Sequence, residues 1–368
     1  MKKILFILIG VALLGCTDNH KGASPLVKAG TMPAFESGYD LGVSACYAAV
    51  HDGELYIAGG CNFPEKPAAE GGAKRYYNGI YKALLGDTLI WEQVATLPTA
   101  SAYGATAQAG SRWIIAGGMN SDGATSDVYC LDLEKGCEAV ALPSLPCTID
   151  NTAAAVNGEM IFVVGGNADG KASNRVFMLD LAATEKGWKE LPVMPSRPRV
   201  QPVCAATTEA LYVWGGFCTA DNINDAVTHC DGARYIFAEQ RWEKLPEVVI
   251  EGEEEPFSLS GGVATLCGDR IVAAGGVNKD IFTDAISGRY TLTSKEEYMH
   301  HPAEWYRFNS RLAAYDPQKG CWELISNDKA FARAGAAMAV NGNDIIYIGG
   351  ELKPGIRTPE TVIFKQDK

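Results

Sequence analysis

Two side chains near the C-terminus, Glu351 and Arg357, have the types and spacing needed for acid–base chemistry on an acidic ligand. Glu351 directly follows a Gly-Gly pair, and Pro354-Gly355 restricts the loop that joins it to Arg357. A carboxylate can transfer a proton, and a guanidinium binds a carboxylate through paired hydrogen bonds. Because an exposed Glu/Arg pair is often only structural, these residues alone leave a catalytic site and a surface ion pair both open.

The apolar strand and Gly-Gly pair before Glu351 recur along the whole chain. Such runs end in Gly-Gly at residues 59–60, 117–118, 165–166, 215–216, 275–276 and 349–350. These intervals are typical of four-stranded propeller blades, with loop insertions in the later units. A small-residue strand precedes each run, and a tyrosine-bearing strand and a tryptophan-opened strand often follow. Gly-Gly, Tyr and Trp in that order form the kelch repeat, so the sequence predicts an all-β fold, a six-bladed kelch β-propeller.

The sixth unit is one strand short of a blade, because only residues 361–364 form a strand pattern after its Gly-Gly pair. Residues 26–33 end like the outer strands that close at Leu97-Pro98 and at residues 191–195. We therefore expect residues 26–33 to supply the missing outer strand. Pairing of the N-terminal strand with the last blade would hide both sheet edges and make residues 26–368 one domain.

Residues 1–15 have the features of an export signal. Lys2 and Lys3 precede an apolar run that is too short to remain as a membrane span, and Leu13-Leu14-Gly15-Cys16 resembles a bacterial lipoprotein box. This predicts cleavage before Cys16, a lipid on its sulfur, a tether over residues 16–25, and a periplasmic or cell-surface lipoprotein. The alternative is a plain secretory signal with an incidental cysteine.

Charge and cysteine content exclude some function classes. The formal net charge is −12, which argues against nucleic acid as a partner, and the membrane would be met through the lipid anchor only. No cysteine or histidine cluster has zinc-ligand spacing. Cys130 with Cys137, and Cys218 with Cys230, could form disulfides in an oxidising compartment; buried free thiols are the alternative.

Long loops carrying functional side chains fall on one predicted face of the propeller, together with Glu351 and Arg357. Residues 277–310 are the largest insertion; their residues 294–308 are aromatic-rich and predict a helical lid. Within it His300 and His301 are adjacent, so they would point in different directions and do not predict a metal site. Candidate substrate-binding residues on this face are Arg199, Arg333, Asn62, Arg75, Tyr76 and Tyr103.

Residues 350–358, Gly-Glu-Leu-Lys-Pro-Gly-Ile-Arg-Thr, resemble the Gly-Glu-x-Lys-Pro-Gly-x-Arg-Thr segment of the bacterial sialic acid mutarotases, or N-acetylneuraminate epimerases, which are kelch propellers. Residues 275–282 resemble the start of that family's lid loop. In the family the glutamate-bearing blade lies mid-chain, whereas here it is C-terminal. The unit order is therefore similar to the cyclically permuted branch of the family.

This resemblance implies an isomerase that interconverts the α and β anomers of N-acetylneuraminate by ring opening and closing. It implies that Glu351 transfers the proton, that Arg357 assists by binding the sugar carboxylate or polarising an oxygen, and that no metal or organic cofactor is needed. The alternative is a non-catalytic kelch lipoprotein that binds a glycan or a protein. A copper oxidase lacks a suitable set of histidines and tyrosines. The sequence predicts no oligomeric state.

Overall fold

The computed structural model describes residues 25–221 and 223–366, and this part of the chain is an all-β protein. Six antiparallel sheets of four main strands follow one another through the described residues, with short hairpins and one α-helix between them. Within the same residues, no helix has both the length and the apolarity needed to cross a membrane.

The elements have the following bounds. In the first half of the chain the strands are β1 (Leu26–Thr31), β2 (Tyr47–His51), β3 (Glu54–Ala58), β4 (Cys61–Asn62), β5 (Arg75–Tyr76), β6 (Gly79–Leu84), β7 (Trp91–Thr96), β8 (Ala105–Ala109), β9 (Arg112–Ala116), β10 (Met119–Asn120), β11 (Gly123–Ala124), β12 (Val128–Asp132), β13 (Ala139–Leu142), β14 (Ile149–Asp150), β15 (Ala153–Asn157), β16 (Met160–Val164), β17 (Asn167–Ala168), β18 (Lys171–Ala172), β19 (Val176–Asp180) and β20 (Lys189–Glu190). In the second half they are β21 (Val200–Ala206), β22 (Ala210–Cys218), β23 (Val227–Thr228), β24 (Gly232–Ile236), β25 (Arg241–Leu245), β26 (Val263–Cys267), β27 (Arg270–Ala274), β28 (Arg311–Asp316), β29 (Cys321–Asn327), β30 (Ala337–Asn341), β31 (Asp344–Ile348), β32 (Glu351–Lys353), β33 (Ile356–Arg357) and β34 (Glu360–Phe364). The helix α1 spans Lys279–Ile286, and 3-10 turns occur at Tyr39–Leu41, Ala68–Glu70, Thr184–Lys186, Ala303–Tyr306 and Lys329–Phe331.

The six sheets share one strand order. They are β2-β3-β6-β7, β8-β9-β12-β13, β15-β16-β19-β20, β21-β22-β24-β25, β26-β27-β28-β29 and β30-β31-β34-β1. Each second strand is apolar on both faces because its sheet packs against a neighbour on each side. The buried residues of the described chain form clusters between successive sheets, and one of these clusters joins the last sheet to the first.

The prediction that an N-terminal strand completes the last sheet is confirmed. β1 pairs antiparallel with β34, with Leu26 opposite Phe364 and Thr31 opposite Glu360. The indole nitrogen of Trp91 donates to the carbonyl of Thr31 at 2.8 Å. The equivalent tryptophans of later units donate in the same way to the outer end of the preceding sheet: Trp188 to Pro143 at 2.8 Å and Trp242 to Pro192 at 2.6 Å. β1 therefore occupies the position of an outer strand.

A ring of backbone hydrogen bonds joins the residues that lead into the first strand of each sheet. All six ring residues have left-handed φ values, between 51° and 71°. The bonds run from Ala45 N to Gly335 O (2.7 Å), Gly335 N to Gly261 O (2.7 Å), Gly261 N to Gln201 O (3.0 Å), Gln201 N to Asn151 O (2.8 Å), Asn151 N to Tyr103 O (2.7 Å) and Tyr103 N to Ala45 O (3.2 Å). The ring lies at one end of a cavity of about 570 Å³ that runs between the first strands.

The repeated Gly-Gly pairs allow a backbone conformation and a close approach that a side chain would prevent. Both glycines of every pair have positive φ, for example 57° at Gly349 and 94° at Gly350. A Cβ atom on Gly349 would lie 2.6 Å from the carbonyl oxygen of Val43, which belongs to the link into the neighbouring sheet. A side chain at this position would therefore need both a strained backbone and a displaced neighbour.

The structure leaves the predictions for the N-terminus untested, but it describes the cysteines that were considered for disulfides. Residues 1–24 lie outside the described residues, so the signal peptide, the lipid on Cys16 and most of the tether stay predictions. The cysteines considered for disulfides, Cys130, Cys137, Cys218 and Cys230, are free thiols, as are the other described cysteines. Of the two alternatives, the structure therefore matches free thiols.

Candidate functional site

The hairpin of β32 and β33 places Glu351 directly opposite Arg357. The two residues are register partners, and a bulge follows Glu351. Gly355 forms the turn with φ 83°, and a Cβ there would lie 2.7 Å from the Cβ of Ala68 on the neighbouring loop. Arg357 Nη2 lies 2.5 Å from Glu351 Oε1. The short hairpin thus turns a six-residue separation in sequence into a charge-assisted hydrogen bond.

The Arg357 guanidinium is almost completely buried and only partly paired. Its Nε donates to the hydroxyl of Ser44 at 3.2 Å, and its carbon lies 4.8 Å from the ring centre of Phe63. Its Nη1 is buried without a hydrogen-bond partner. A buried donor that lacks a partner costs free energy, and an anionic ligand that reached it would remove that cost.

Burial raises the pKa of Glu351 above the ordinary glutamate value, and the positive charges of Arg357 and Lys74 oppose this increase. The backbone of Glu351 is fixed by two hydrogen bonds with Ala334, of 2.7 Å and 3.0 Å. A carboxylate with a raised pKa on a rigid backbone can both accept and return a proton.

Glu351 departs from the repeat at a position that every unit shares. The residues that directly follow the Gly-Gly pairs are Cys61, Met119, Asn167, Phe217, Val277 and Glu351. Of these six residues, only Glu351 has a carboxylate side chain. Its partner in the β32–β33 hairpin, Arg357, has a guanidinium. The fold therefore does not require this pair.

Tyr103, Lys74 and Cys61 lie beside the pair. Lys74 Nζ donates to the Tyr103 hydroxyl at 3.1 Å and lies 4.8 Å from the centre of its ring. Burial, then the neighbouring Cys61 and Glu351, raise the pKa of Tyr103, so its phenol is neutral at pH 7. Burial likewise raises the pKa of Cys61. Tyr103 is the member of the predicted binding set that the structure brings to Glu351.

The insertion over residues 277–310 reaches the site, as predicted for a lid, but its helix lies elsewhere than expected. α1 comes at residues 279–286, whereas residues 295–300 form turns and residues 303–306 a 3-10 turn. Pro302 and the packing of four aromatic rings (Tyr290, Tyr298, Trp305 and Tyr306) replace helical hydrogen bonding there. Lys353 Nζ donates to the carbonyl of His301 at 2.7 Å, which ties the insertion to the β32–β33 hairpin.

Of the two adjacent histidines in the insertion, His301 packs within the insertion itself. His301 Nε2 is 2.7 Å from the Thr293 hydroxyl, and its ring stacks on Trp305 with 4.0 Å between the centres. Tyr298 lies close enough to Glu351 for the carboxylate to raise its pKa, after burial and the neighbouring tyrosines. The insertion therefore contributes Tyr298 to the surroundings of Glu351.

Arg199 and Arg333, which the sequence placed among the substrate-binding residues, are instead internal ties of the fold. Arg199 is 0% exposed and donates to the Gly215 carbonyl at 2.6 Å and to Asp231 Oδ1 at 2.7 Å. Arg333 is 1% exposed and donates to the carbonyls of Gly349 and Glu360 at 3.0 and 2.8 Å. Neighbouring strand ends take up the terminal nitrogens of both arginines, while Arg333 Nε is buried without a partner. These contacts do not support the prediction that Arg199 and Arg333 converge on a ligand.

Replacing Arg333 by methionine should therefore lower stability rather than ligand affinity. The change removes the charge-assisted hydrogen bonds from Arg333 to the carbonyls of Gly349 and Glu360, which should reduce the free energy of unfolding by roughly 3 kcal/mol. Urea unfolding measures this. Arg241→Met is the matched control, since Arg241 pairs with Glu239 and Glu243 at the surface and such pairs contribute about 1 kcal/mol or less. Equal stability of the two variants would contradict the assigned role.

Asn62 also proves structural. Its amide nitrogen donates to the carbonyls of Gly38 and Gly42 at 2.7 and 2.8 Å, and its amide oxygen accepts from Tyr77 at 2.8 Å. Arg75 is exposed and lies over the Tyr77 ring at 5.2 Å. These contacts hold the loop into the first sheet, so they do not support the predicted binding roles of Asn62 and Arg75.

Tyr76 is half-buried opposite Cys61, and its role in binding stays a prediction. Four residues of the site were not singled out from the sequence: Ser44, Phe63, Lys74 and Tyr298. Lys74 could have been considered with Tyr76, because alternate residues of a strand point to the same side. Ser44, Phe63 and Tyr298 reach the site through the paths of loops, and no local sequence pattern specifies those paths.

Comparison with known proteins gives related sequences and structures of similar fold. The sequence profile of the family "N-acetylneuraminate epimerase" matches residues 142–368. The chain is 31% identical over 236 residues to N-acetylneuraminate epimerase of Haemophilus influenzae (strain PittEE), covering 61% of this chain and 59% of that protein. It is 29% identical to N-acetylneuraminate epimerase 1 of Escherichia coli O6:H1, covering 60% and 58%. The chain thus spans about six-tenths of the length of the curated relatives it matches.

The solved structure of YjhT has the same fold. It superposes with a TM-score of 0.62 at 15% sequence identity, and the match covers 90% of this chain and 96% of that one. At this identity the likeness concerns the fold alone.

Proposed function

Because this chain belongs to the N-acetylneuraminate epimerase family, we propose that it is a mutarotase that interconverts the α and β anomers of N-acetylneuraminate. The observation that carries the proposal is the Glu351–Arg357 pair. It combines a proton-accepting carboxylate of raised pKa with a buried guanidinium that has an unpaired Nη1. Neither residue is demanded by the repeat.

The chemistry of anomer exchange fits these two groups. The Glu351 carboxylate removes the proton of the anomeric hydroxyl, the ring oxygen leaves the anomeric carbon with the bonding electron pair and takes up a proton, and an open-chain keto acid forms. Rotation presents the other carbonyl face, and reclosure gives the other anomer. Arg357 holds the carboxylate next to the anomeric carbon, since guanidinium and carboxylate form paired hydrogen bonds. Arg357 also keeps its contact with Glu351, which fixes the distance between the proton carrier and the bound sugar.

We also propose that the six sheets are the blades of a kelch β-propeller that β1 closes. The closed ring of backbone hydrogen bonds, the indole contacts to outer strands and the pairing of β1 with β34 support this. A family match that begins at residue 142 is what a cyclically permuted unit order would give, with the glutamate-bearing unit moved to the C-terminus. A ring of equivalent units tolerates such a rotation.

For the location we propose an exported lipoprotein. The support is the sequence alone: the basic and apolar start, and Cys16 at the end of the Leu-Leu-Gly-Cys pattern. Mass spectrometry of the mature N-terminus tests it, because a diacylglycerol on Cys16 is expected, and an unmodified or uncleaved N-terminus would contradict it.

The function is tested by following freshly released α-N-acetylneuraminate by NMR. The protein should bring the anomers to the same equilibrium as buffer, at a rate proportional to its concentration. A rate equal to that of buffer, with the sugar bound, would favour the non-catalytic binding protein instead.

The pH dependence should report Glu351. The carboxylate must be ionised to accept the proton, so kcat/KM should fall as the pH is lowered. Because burial raises the pKa of Glu351, the midpoint of this fall should lie above the ordinary glutamate value of about 4.3. Lys74→Met removes a charge that lowers this pKa, so the acidic limb should move to higher pH. An acidic limb at about pH 4 or below in the wild type, or one that Lys74→Met leaves in place, would contradict the assignment.

A further inference from the structure

The phenol of Tyr103 lies beside Glu351, near enough for the carboxylate to add to the rise in its pKa that burial causes. We propose that Tyr103 exchanges a proton with the ring oxygen of the sugar while Glu351 acts on the anomeric hydroxyl, and that Lys74 supports the Tyr103 oxygen. This inference rests on the proposed function. It concerns a step that one carboxylate leaves unassigned, because anomer exchange moves a proton off one oxygen and onto another.

The backbone position of Tyr103 is costly for a tyrosine. All six ring residues have left-handed φ values, and such a value disfavours bulky side chains. The other five ring residues in the described chain are Ala45, Asn151, Gln201, Gly261 and Gly335. The tyrosine, at φ 62°, is the one whose side chain can give up a proton. Its presence is therefore better explained by the site than by the turn.

The ring also makes Tyr103 rigid. Its amide donates to Ala45 at 3.2 Å, and its carbonyl accepts from Asn151 at 2.7 Å, so neighbours on both sides hold its backbone. Tyr103 is one of the residues that line the cavity of about 570 Å³ between the first strands. A proton carrier held in this way keeps its position relative to Glu351 when a ligand enters.

The surroundings of the phenol suit proton donation. Lys74 Nζ donates to the hydroxyl oxygen at 3.1 Å, and the phenol proton is directed to the Cys61 thiol, which is a weak acceptor. Burial and the neighbouring Glu351 keep the phenol protonated at rest, and Arg357 opposes that effect. A phenolate formed during the reaction would lie next to two positive charges.

The proton balance closes without a further reactant. Glu351 takes the anomeric hydroxyl proton, the carbonyl forms, and the ring oxygen leaves the anomeric carbon with its electron pair and receives the Tyr103 proton. After rotation, the phenolate recovers that proton as the ring oxygen attacks the other carbonyl face. Glu351 then returns its proton to the carbonyl oxygen, so both residues end as they began.

The test compares Tyr103→Phe with the wild type by NMR of anomer exchange. Tyr103→Phe should lower kcat by about 10²-fold or more, as loss of a proton-transfer group does, with KM changed little. The matched control is Tyr129→Phe, which removes a hydroxyl that contacts Asp127 away from the site and should leave the rate unchanged. A second set of variants carries fluorinated tyrosines at position 103, whose phenols are more acidic. Their kcat should vary with phenol acidity.

The outcomes separate this inference from the function itself. A wild-type rate equal to buffer overturns both. Wild-type activity that Tyr103→Phe retains within a few-fold overturns the role of Tyr103 alone and leaves Glu351 as the proton carrier. If Tyr103→Phe also lowers the melting temperature, the fluorinated variants decide: a kcat that follows acidity supports proton transfer, and an unchanged kcat means that Tyr103 is structural.

Discussion

Replacing Glu351 by glutamine should lower kcat for anomer exchange by about 10²- to 10⁴-fold, the range that a proton-transfer group contributes. Glutamine keeps the shape of the side chain and can still accept a hydrogen bond from Arg357, but it cannot take a proton. KM should change little, because Arg357 holds the sugar carboxylate. NMR of the α and β anomers under exchange gives both parameters.

The folding of this variant should be unimpaired. Burial makes the charged form of Glu351 costly, as its raised pKa indicates. The neutral amide removes that cost, so the melting temperature at neutral pH should equal or exceed that of the wild type. Glu190→Gln is the matched control, since Glu190 also pairs with an arginine, Arg175, but on a surface strand. Full activity in Glu351→Gln, or equal losses in both variants, would exclude Glu351 as the proton carrier.

Much of the fold could be predicted because its key local feature occurs six times. A Gly-Gly pair after an apolar strand indicates a backbone with positive φ that passes close to a neighbouring segment of the chain. Both conditions hold at Gly349 and Gly350. Repetition made this pattern distinct from chance. The missing strand followed from the same regularity, since a unit that lacked one strand had to find it at the other end of the chain.

Glu351 and Arg357 were recognisable for the opposite reason: they break the repeat. Arg199 and Arg333 obey it. Each lies 16 residues before the first glycine of the Gly-Gly pair whose carbonyl it binds, Gly215 or Gly349. A charged residue at a repeated position indicates a role in the fold, whereas residue type and predicted face alone suggested ligand binding.

The remaining site residues depend on loop paths. Lys74 and Tyr298 come from long loops of different units, and their proximity to Glu351 arises only when the first unit, the fifth-unit insertion and the last hairpin are in place. The prediction of a helix within residues 294–308 was wrong for a related reason, since the helix of this insertion is α1. Aromatic packing around Tyr298 and Tyr306, rather than local propensity, decides the conformation there.

The strand β1 links the stability of the whole sheet to the geometry of the site. Met32, which follows β1 and is 3% exposed, donates its amide to the Pro359 carbonyl at 2.9 Å. Pro359 lies two residues after Arg357, so this bond anchors the end of the site hairpin. β1 also covers β34, which would otherwise present an unpaired edge.

Deleting residues 26–33 should therefore abolish cooperative urea unfolding, or lower its midpoint strongly, and reduce anomer exchange to the buffer rate. Met32→Ala is the milder variant: it keeps the strand but removes a buried side chain, at a cost of about 2–5 kcal/mol, and should lower stability while the protein still folds. Lys28→Ala is the control, because Lys28 is exposed and pairs with Glu360 only at the surface. A truncated protein with wild-type unfolding and activity would show that the site hairpin and the last sheet stand without β1, and that the ring needs no closure from the N-terminus.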